Sequence, residues 1–438
     1  MTATRSGPVE LGTVIDLGRD GEGVIRNGKT VFVPGALPGE VVKFVRRRSR
    51  RQHDEGELIA VESPSVHRAD PICAHFGRCG GCTLQHLSSD GQVELKQREL
   101  AQCLARIGQV APQRFLAPLR APTRHYRRRA RLGVRYVAKK NRVVVGFRER
   151  FKPYVADLDQ CPVLVEPVGS LLRPLSHVLN ELSIRERLPQ VEIAVGDSGE
   201  VAMVLRTLDA PSDADLERLQ AFAEAHSLLL FLQPAGPSSV VPLSHERRSQ
   251  SYCLPNHDLR LEFAPTDFVQ VNALGNRLLV DAAIELLDCN AGDSVLDLYC
   301  GIGNFTLPIA RRARQVLGIE GAPELVARAS ANAQLNGIGN AQFVCRDLTD
   351  GPALAHLLRD RSIDLILLDP PRAGAQAILP VLADLRCRRI VYISCHPASL
   401  ARDLGQLVHE FGYRLEAAGS ADMFAHTGHQ EALALLTL

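Results

Sequence analysis

No stretch of this chain is apolar for long enough to span a bilayer, so no membrane-spanning helix is expected. The opening residues, MTATRSGPVE, lack the apolar core of a secretory signal, and the chain is expected to stay in the cytoplasm. There is no internal repeat and no low-complexity tract, which leaves solenoids and disordered tails out of consideration. Eleven cysteines in a cytoplasmic protein argue for metal binding or catalysis at some of them, not for a disulfide framework. At 438 residues the chain is too long for one core, so two or three domains are expected.

Acid is missing from two stretches. Lys43 to Arg51 holds six basic residues and no carboxylate, and Arg120 to Arg142 holds ten and again none. The net charge of the whole chain is only +2. Either run alone reads as a solvated face. Two such blocks on a nearly neutral protein point to a polyanion, most readily a nucleic acid.

The first part reads as short strands: Val9 to Leu11 with Val14-Ile15, then Val24-Ile25, Val31 to Val33, Val41 to Val45 and Glu57 to Val61. Gly18 to Gly23 forms a turn cluster, Asn27-Gly28 a hairpin turn, and Ser63-Pro64 a linker. Five short strands with a basic face suit an oligonucleotide-binding type of barrel, and the pattern resembles a TRAM domain. Cys73, Cys79 and Cys82 follow in a C-x5-C-x2-C spacing, with glycines that let thiolates converge. A closed site needs a fourth ligand, and Cys161, followed by proline, is the best placed. Zinc and an iron–sulfur cluster both accept four thiolates, so spacing leaves the metal open. His75 and His86 read as surface or packing histidines. Val93, Leu100, Leu104 and Ile107 predict a helix over 91–108 that packs on the C-terminal part. Between 126 and 155 arginines alternate with apolar residues, which predicts strands with one core face and one cationic face. Strands near 191–195, 201–205, 228–232 and 259–263 and a helix near 213–225 make this middle region α+β.

From Phe268 onward helix and strand alternate. Val295 to Leu298 ends in Asp297-Leu298-Tyr299, turns at Gly301-Ile302-Gly303, and enters a helical pattern at Asn304. Glu320 ends the next apolar run, twenty-three positions after Asp297. A glycine turn brings backbone close to a ligand at a helix N-terminus, and an acid at the next strand tip accepts ribose hydroxyls. The motif is not G-x-G-x-x-G, and no pyrophosphate cradle is evident. D-x-x-x-G-x-G resembles the first motif of S-adenosylmethionine (SAM) methyltransferases; a doubly wound sheet binding another nucleotide is the alternative. Further strands end at Cys345 with Asp347 beyond, at Asp369-Pro370-Pro371-Arg372, and at Cys395-His396-Pro397. A doubly wound parallel sheet is predicted, with Asp297, Glu320, Asp347, Asp369 and Cys395 at its ligand-binding edge.

Cys395 separates the chemistries. Asp-Pro-Pro resembles the motif of amino-group methyltransferases, but an exocyclic amine needs no thiolate. Pyrimidine C5 becomes nucleophilic only after a thiolate adds to C6. Pro397 opens a helix, and its N-terminus is expected to favour the Cys395 thiolate. A base is then needed near the C-terminus, where Asp422, His426, His429 and Glu431 lie.

Cys395, the Asp369 motif and the cysteine cluster, with G-G-C-T-L-Q-H-L at 80–87, V-G-F-R-E at 145–149, D-Q-C-P-V-L at 159–164, F-x-Q-V-N at 268–272 and D-L-Y-C-G-I-G-N-F at 297–305, resemble the RNA uracil-C5 methyltransferases over nearly the whole length. The resemblance implies a TRAM barrel over 1–64, a central RNA-binding domain with an iron–sulfur cluster over 65–265, and a Rossmann-like SAM-dependent methyltransferase domain over 266–438. It implies a [4Fe–4S] cluster on Cys73, Cys79, Cys82 and Cys161, and SAM contacts at Gln270, Tyr299, Asn304, Glu320 and Asp347, with Asp369 between cofactor and uracil. It further implies Cys395 as nucleophile, Glu431 as base, and a monomeric enzyme acting on a uridine of 23S rRNA. A tRNA or another 23S uridine is the alternative substrate. The family usually has S-C-N-P where this chain has Ser394-Cys395-His396-Pro397.

Overall fold

The computed structural model describes residues 7–18, 20–243 and 249–438. Residues 1–6 and Arg19, which the sequence assigns to the first domain and its glycine turn, lie outside the described residues, as do 244–248 of the middle region.

The chain begins with β1 (Val9–Leu17), β2 (Glu22–Asn27), β3 (Lys29–Pro34), β4 (Val41–Ser49) and β5 (His53–Ser63). They close into a barrel in the order β1-β2-β3-β5-β4. Closure leaves no strand edge open to a second chain. Val14, Ile25, Val31, Val33, Val42 and Phe44 alternate inward and fill the centre. The basic run lies on β4, but β5 answers it. Lys43 pairs with Glu62, Arg47 with Glu57, and Arg48 and Arg50 with Glu55. Arg46 sits between Glu10 and Asp54. The stretch is free of acid in sequence and largely neutralised in space.

Next come α1 (Ser89–Cys103), capped by Ser88, and the two short strands β6 (Arg114–Phe115) and β7 (Leu119–Arg120). A π-helical turn over Leu104–Gly108 prolongs α1. A Cβ on Gly108 would stand 2.3 Å from the carbonyl oxygen of Ala401, so only glycine permits this close approach.

The middle region contains β8 (Arg129–Val137), β9 (Arg142–Gly146), α2 (Val168–Asn180), β10 (Gln190–Val195), β11 (Val201–Arg206), α3 (Asp213–Ala225), β12 (Leu228–Gln233) and β13 (Val241–Pro242). The strands form one sheet, β13-β12-β11-β10-β8-β9. Leu171, Leu172, Leu175 and Leu179 of α2 and Leu219 of α3 pack on it. On β8, Arg131 and Arg135 face solvent while Ala130, Leu132 and Val134 face the core, as alternation predicts. Arg128 departs from this. It is 3% exposed, held by Asp197 at 3.1 Å and the Gln270 carbonyl at 2.9 Å, and is an internal strut, not part of a cationic face. The hairpin β14 (Gln250–Leu254) and β15 (Leu259–Phe263) bridges Ala194, Ala202 and Leu229 of this sheet to the C-terminal core.

The last part runs α4 (Ala273–Leu287), β16 (Ser294–Leu298), α5 (Thr306–Ala310), β17 (Gln315–Glu320), α6 (Pro323–Leu335), β18 (Ala341–Cys345), α7 (Gly351–Leu358), β19 (Leu365–Leu368), α8 (Leu379–Asp384), β20 (Arg389–Ser394), α9 (Pro397–His409), β21 (Arg414–Asp422) and β22 (Glu431–Thr437). Strand order is β18-β17-β16-β19-β20-β22-β21-β6, with β7 also beside β21. The first five in that order are parallel; β17, β16, β19 and β20 are buried on both faces, and the edge strand β18 is only half-buried. Order reverses between β16 and β19, which opens a crevice above their carboxyl ends. The sheet is not parallel throughout: β22 runs antiparallel to both β20 and β21, and the middle region lends it β6 and β7. Among the described residues no helix is long and apolar enough to cross a membrane.

Candidate active site

The crevice begins at the turn after β16. Tyr299, Gly301 and Gly303 all adopt positive φ, at 62°, 55° and 94°, and the backbone reverses within five residues. Glu320, at the tip of β17, accepts N–H groups from Gly301 at 3.1 Å, Gly321 at 2.7 Å and Ala322 at 3.1 Å. Its carboxylate is thereby fixed at the mouth of the turn. Asn304 forms a reciprocal amide pair with Asn276, at 2.9 and 3.0 Å, and its oxygen also accepts the Tyr252 hydroxyl at 2.9 Å. Gln270 is nearly buried just before α4. Asp347 lies exposed beyond β18, where the Thr349 N–H and hydroxyl hold its carboxyl below the usual range. Asp297 behaves differently from the other strand-end acids. It is fully buried, Oδ2 accepts the Thr306 hydroxyl, and Oδ1 has no hydrogen-bond partner among the described residues. Burial pushes its carboxyl up to about 7. Asp297 is thus tied to Thr306 of α5 while lying within reach of the charges of Asp369 and Glu320, an attachment that its place at a strand end could not convey.

Cys395 stands at the end of β20. His396 caps α9 by accepting the Ser399 N–H at 3.3 Å, so the imidazole takes over the capping role of an amide at this position. Ser394 registers against Ala432 across β20 and β22. Extending that register by one step sets Cys395 opposite Glu431, whose charge acts on the Cys395 thiol. Glu431 is 3% exposed, and its Oε2 has no hydrogen-bond partner among the described residues. Burial, then the charge of Asp369, raises the Glu431 carboxyl well above its ordinary range, while Arg372 opposes the shift. Burial raises Asp369 to about 7. The Cys395 thiol is also raised, first by burial and then by Glu431 and Asp369, against the pull of Arg372. Desolvation and two neighbouring carboxyls thus act against the thiolate that the α9 N-terminus is expected to favour.

Of the other base candidates, Asp422 is bound to Lys96, and His426 is buried with Nε2 on the Thr123 carbonyl at 3.0 Å and Nδ1 beside Gln92. His429 lies near Arg372 at 3.4 Å. A cleft of about 350 Å³ leads to Cys395. One wall is His396 and Gly428 to Gln430, another is Arg98, Glu99 and Gln102 of α1, and the third is the β1–β2 turn of the barrel at Leu17, Gly18 and Gly21. The barrel wall has no signal in the sequence, because it depends on docking between distant segments.

Cys73, Cys79, Cys82 and Cys161 line one small pocket with Phe76, Arg127 and Phe147. Burial pushes the Cys79 thiol up to about 11 and Cys82 to about 12, and neighbouring cysteines add to both. Among the described residues no group of three or more His, Cys, Asp or Glu is placed to hold a metal ion. The four thiols thus share a pocket without converging on one ion. His75 accepts the Asp159 N–H at 3.3 Å. His86 is buried against Phe76, ring centroids 5.5 Å apart, and burial lowers it to about 4, as suits a packing histidine.

Comparison with known proteins places this geometry. The chain is 48% identical over 431 residues, 98% of its own length and 96% of the other, to the 23S rRNA (uracil(1939)-C(5))-methyltransferase RlmD of Alkalilimnicola ehrlichii. It is 46% identical over 448 residues, 99% and 96% of the two chains, to the protein of the same name from Cupriavidus pinatubonensis. The fold is similar to that of the Pyrococcus abyssi tRNA (uracil-54, C5)-methyltransferase solved with S-adenosyl-L-homocysteine, with a TM-score of 0.75, 24% identity, and 98% and 99% of the chains covered. Residues 88–438 match the family described as tRNA (Uracil-5-)-methyltransferase, and the chain belongs to that family.

Proposed function

We propose that this chain transfers a methyl group from SAM to C5 of a uridine in 23S rRNA, at the position numbered 1939 in the name of its relatives. The observation that carries the reading is near-full-length identity of 48% and 46% to proteins so named, in a chain that sets Cys395 against Glu431. We read three parts, 1–64, 65–265 and 266–438: an RNA-binding barrel, a central RNA-binding domain and a catalytic domain. The cytoplasm is the compartment that fits a 23S rRNA substrate.

SAM, when bound, supplies an electrophilic methyl on a sulfonium. The glycine turn and Glu320 fit its adenosine, the latter by accepting ribose hydroxyls. Gln270, Tyr299, Asn304 and Asp347 complete the cradle, and Asp369 lies between it and the uracil. Cys395 loses its proton and adds through sulfur to C6, which moves the C5–C6 electron pair into an enolate over C5 and O4. C5 then takes the methyl. Glu431 removes the C5 proton, the enolate re-forms, and the Cys395–C6 bond breaks as the thiolate leaves. Burial and the neighbouring Asp369 carboxylate raise Glu431 above the ordinary carboxyl range, which strengthens it as a proton acceptor, and Arg372 opposes that shift.

Cys73, Cys79, Cys82 and Cys161 would hold a [4Fe–4S] cluster. What supports this reading is that three cysteines of the 73–82 stretch and the remote Cys161 line one pocket, and thiolates are the ligands such a cluster takes. A cluster there would tie the 73–82 loop to the loop at Cys161; nothing in methyl transfer calls on a redox step.

The test is a covalent trap. The protein is incubated with SAM and a 23S rRNA fragment carrying 5-fluorouridine, then run on a denaturing gel. Fluorine cannot leave as a proton does, so a protein–RNA band is expected, and Cys395→Ala should abolish it. A band on tRNA alone would move the substrate. No band on either RNA, with SAM bound, would overturn the mechanism.

A further inference from the structure

We propose that the polar face of α1, centred on Lys96, positions the hairpin that carries Glu431, and so sets the efficiency of proton removal from C5; this rests on the reading of Glu431 as the base. Gln92, Lys96 and Glu99 recur at i, i+4 and i+7 and so share one face of the helix. Such a face on a packed helix is normally apolar. Here Gln92 and Lys96 are each 1% exposed. A buried ammonium is tolerated only when paired and hydrogen-bonded.

Each of these three side chains reaches the end of β21 or the connection from β21 to β22, while the Gln92 amide also donates to the Leu84 and Leu87 carbonyls, at 3.2 and 2.8 Å. The Lys96 ammonium donates to Asp422 Oδ1 at 2.5 Å and to the Phe424 carbonyl at 3.0 Å. The oxygen of Gln92 accepts the His426 N–H at 2.6 Å. Glu99 accepts from the Gln430 amide at 3.1 Å. Three more bonds hold the same segment from other sides: Tyr126 donates to the Ala425 carbonyl at 3.0 Å, and the N–H groups of Thr83 and Leu84 both donate to the His426 carbonyl, at 2.8 and 2.9 Å. His426 itself is held at a φ of 67°, a conformation rare outside glycine.

Residue 431 follows directly, registered against Ala421. Glu431 Oε2 has no hydrogen-bond partner of its own among the described residues. The position of its backbone therefore weighs heavily on where the carboxylate stands, and α1 supplies four of the hydrogen bonds that hold the segment before it. Lys96 is a positioning residue, acting through Asp422 and Phe424.

The experiment uses two variants of the full chain: Lys96→Met/Asp422→Asn, which removes the pair without leaving one charge buried alone, and Gln92→Leu, which is neutral throughout. Each is given SAM and the 23S fragment, once with uridine and once with 5-fluorouridine at the target. Addition and methyl transfer precede proton removal, so the fluorouridine band should match wild type and SAM affinity should hold within about twofold. Turnover should fall ~10-fold or more, and a covalent band should now build up on ordinary uridine, because elimination waits for a misplaced base. Wild-type turnover in the folded variants would overturn the proposal. So would a fluorouridine band that falls in step with turnover, which marks general damage to the site. If the double variant fails to fold, Gln92→Leu decides alone. Absence of the fluorouridine band in the wild type would instead sink the methyltransferase mechanism, and this inference with it.

Discussion

Cys395 and Glu431 face each other across the β20–β22 ladder, one step beyond the registered pair Ser394 and Ala432. An antiparallel strand inserted beside a parallel one achieves this, since it brings the start of β22 to the carboxyl end of β20. The Glu431 carboxyl, with burial ahead of it, raises the proton affinity of the Cys395 thiol.

The Cys395 thiol is held above its ordinary 9.0 by burial, then by Glu431 and Asp369. Alkylation of Cys395 by iodoacetamide, followed by peptide mass spectrometry across pH, should therefore show a midpoint above 9 in the free protein. Glu431→Gln removes one of the raising charges and should move the midpoint down. A wild-type midpoint well below the ordinary thiol value would mean that the α9 N-terminus prevails after all.

Glu431→Gln should lower turnover by ~10²-fold or more, the usual worth of a positioned general base. SAM affinity, measured by calorimetry, should not change. A covalent adduct with unsubstituted uridine RNA should accumulate, because the C5 proton has no acceptor. Normal turnover in this variant would move the base to His429, the remaining cleft-facing candidate.

Asp297 gives a stability signature. Its folded carboxyl is raised to about 7, whereas the unfolded chain ionises in the ordinary range near 3.8. The folded state then binds the extra proton, so this contribution is complete below the unfolded value and is lost as pH rises toward 7. Wild-type stability should decline over that window by about 1.4 kcal/mol per pH unit at most. Asp297→Asn should flatten the slope. Urea midpoints at several pH values measure this, and identical slopes in both proteins would refute it.

Anaerobically purified protein should carry iron and acid-labile sulfide, ~4 of each per chain as a [4Fe–4S] cluster requires. Cys161→Ala should lose most of both while SAM affinity persists, because the pocket lies away from the glycine turn. Zinc in place of iron, with no labile sulfide, would reject the cluster.

The barrel strands, the strands after Asn290 and the turn at Gly301 and Gly303 are legible because each is a local pattern: period-two alternation, an apolar run, or a residue that tolerates positive φ. The family motifs are local strings in the same sense. The α1 helix shows how such a pattern misleads. Its apolar residues predict the helix, yet Ile107 ends up 48% exposed while Lys96 is buried. Helix α2 carries Pro174 inside it, which masks the pattern over Val168–Asn180.

By itself the sequence determined the short strands of the first part, the doubly wound core and the glycine turn, and it singled out Cys395 as the candidate nucleophile. Only the tertiary structure decided that the acid-free run on β4 meets carboxylates on β5, that Asp297 turns inward to Thr306, that the barrel walls the cleft, and that Lys96 holds the strand connection before Glu431. The reason is one of range. Periodicity and turn chemistry act between residues a few positions apart, whereas charge pairing, desolvation and cleft shape depend on which remote side chains the packed elements bring together.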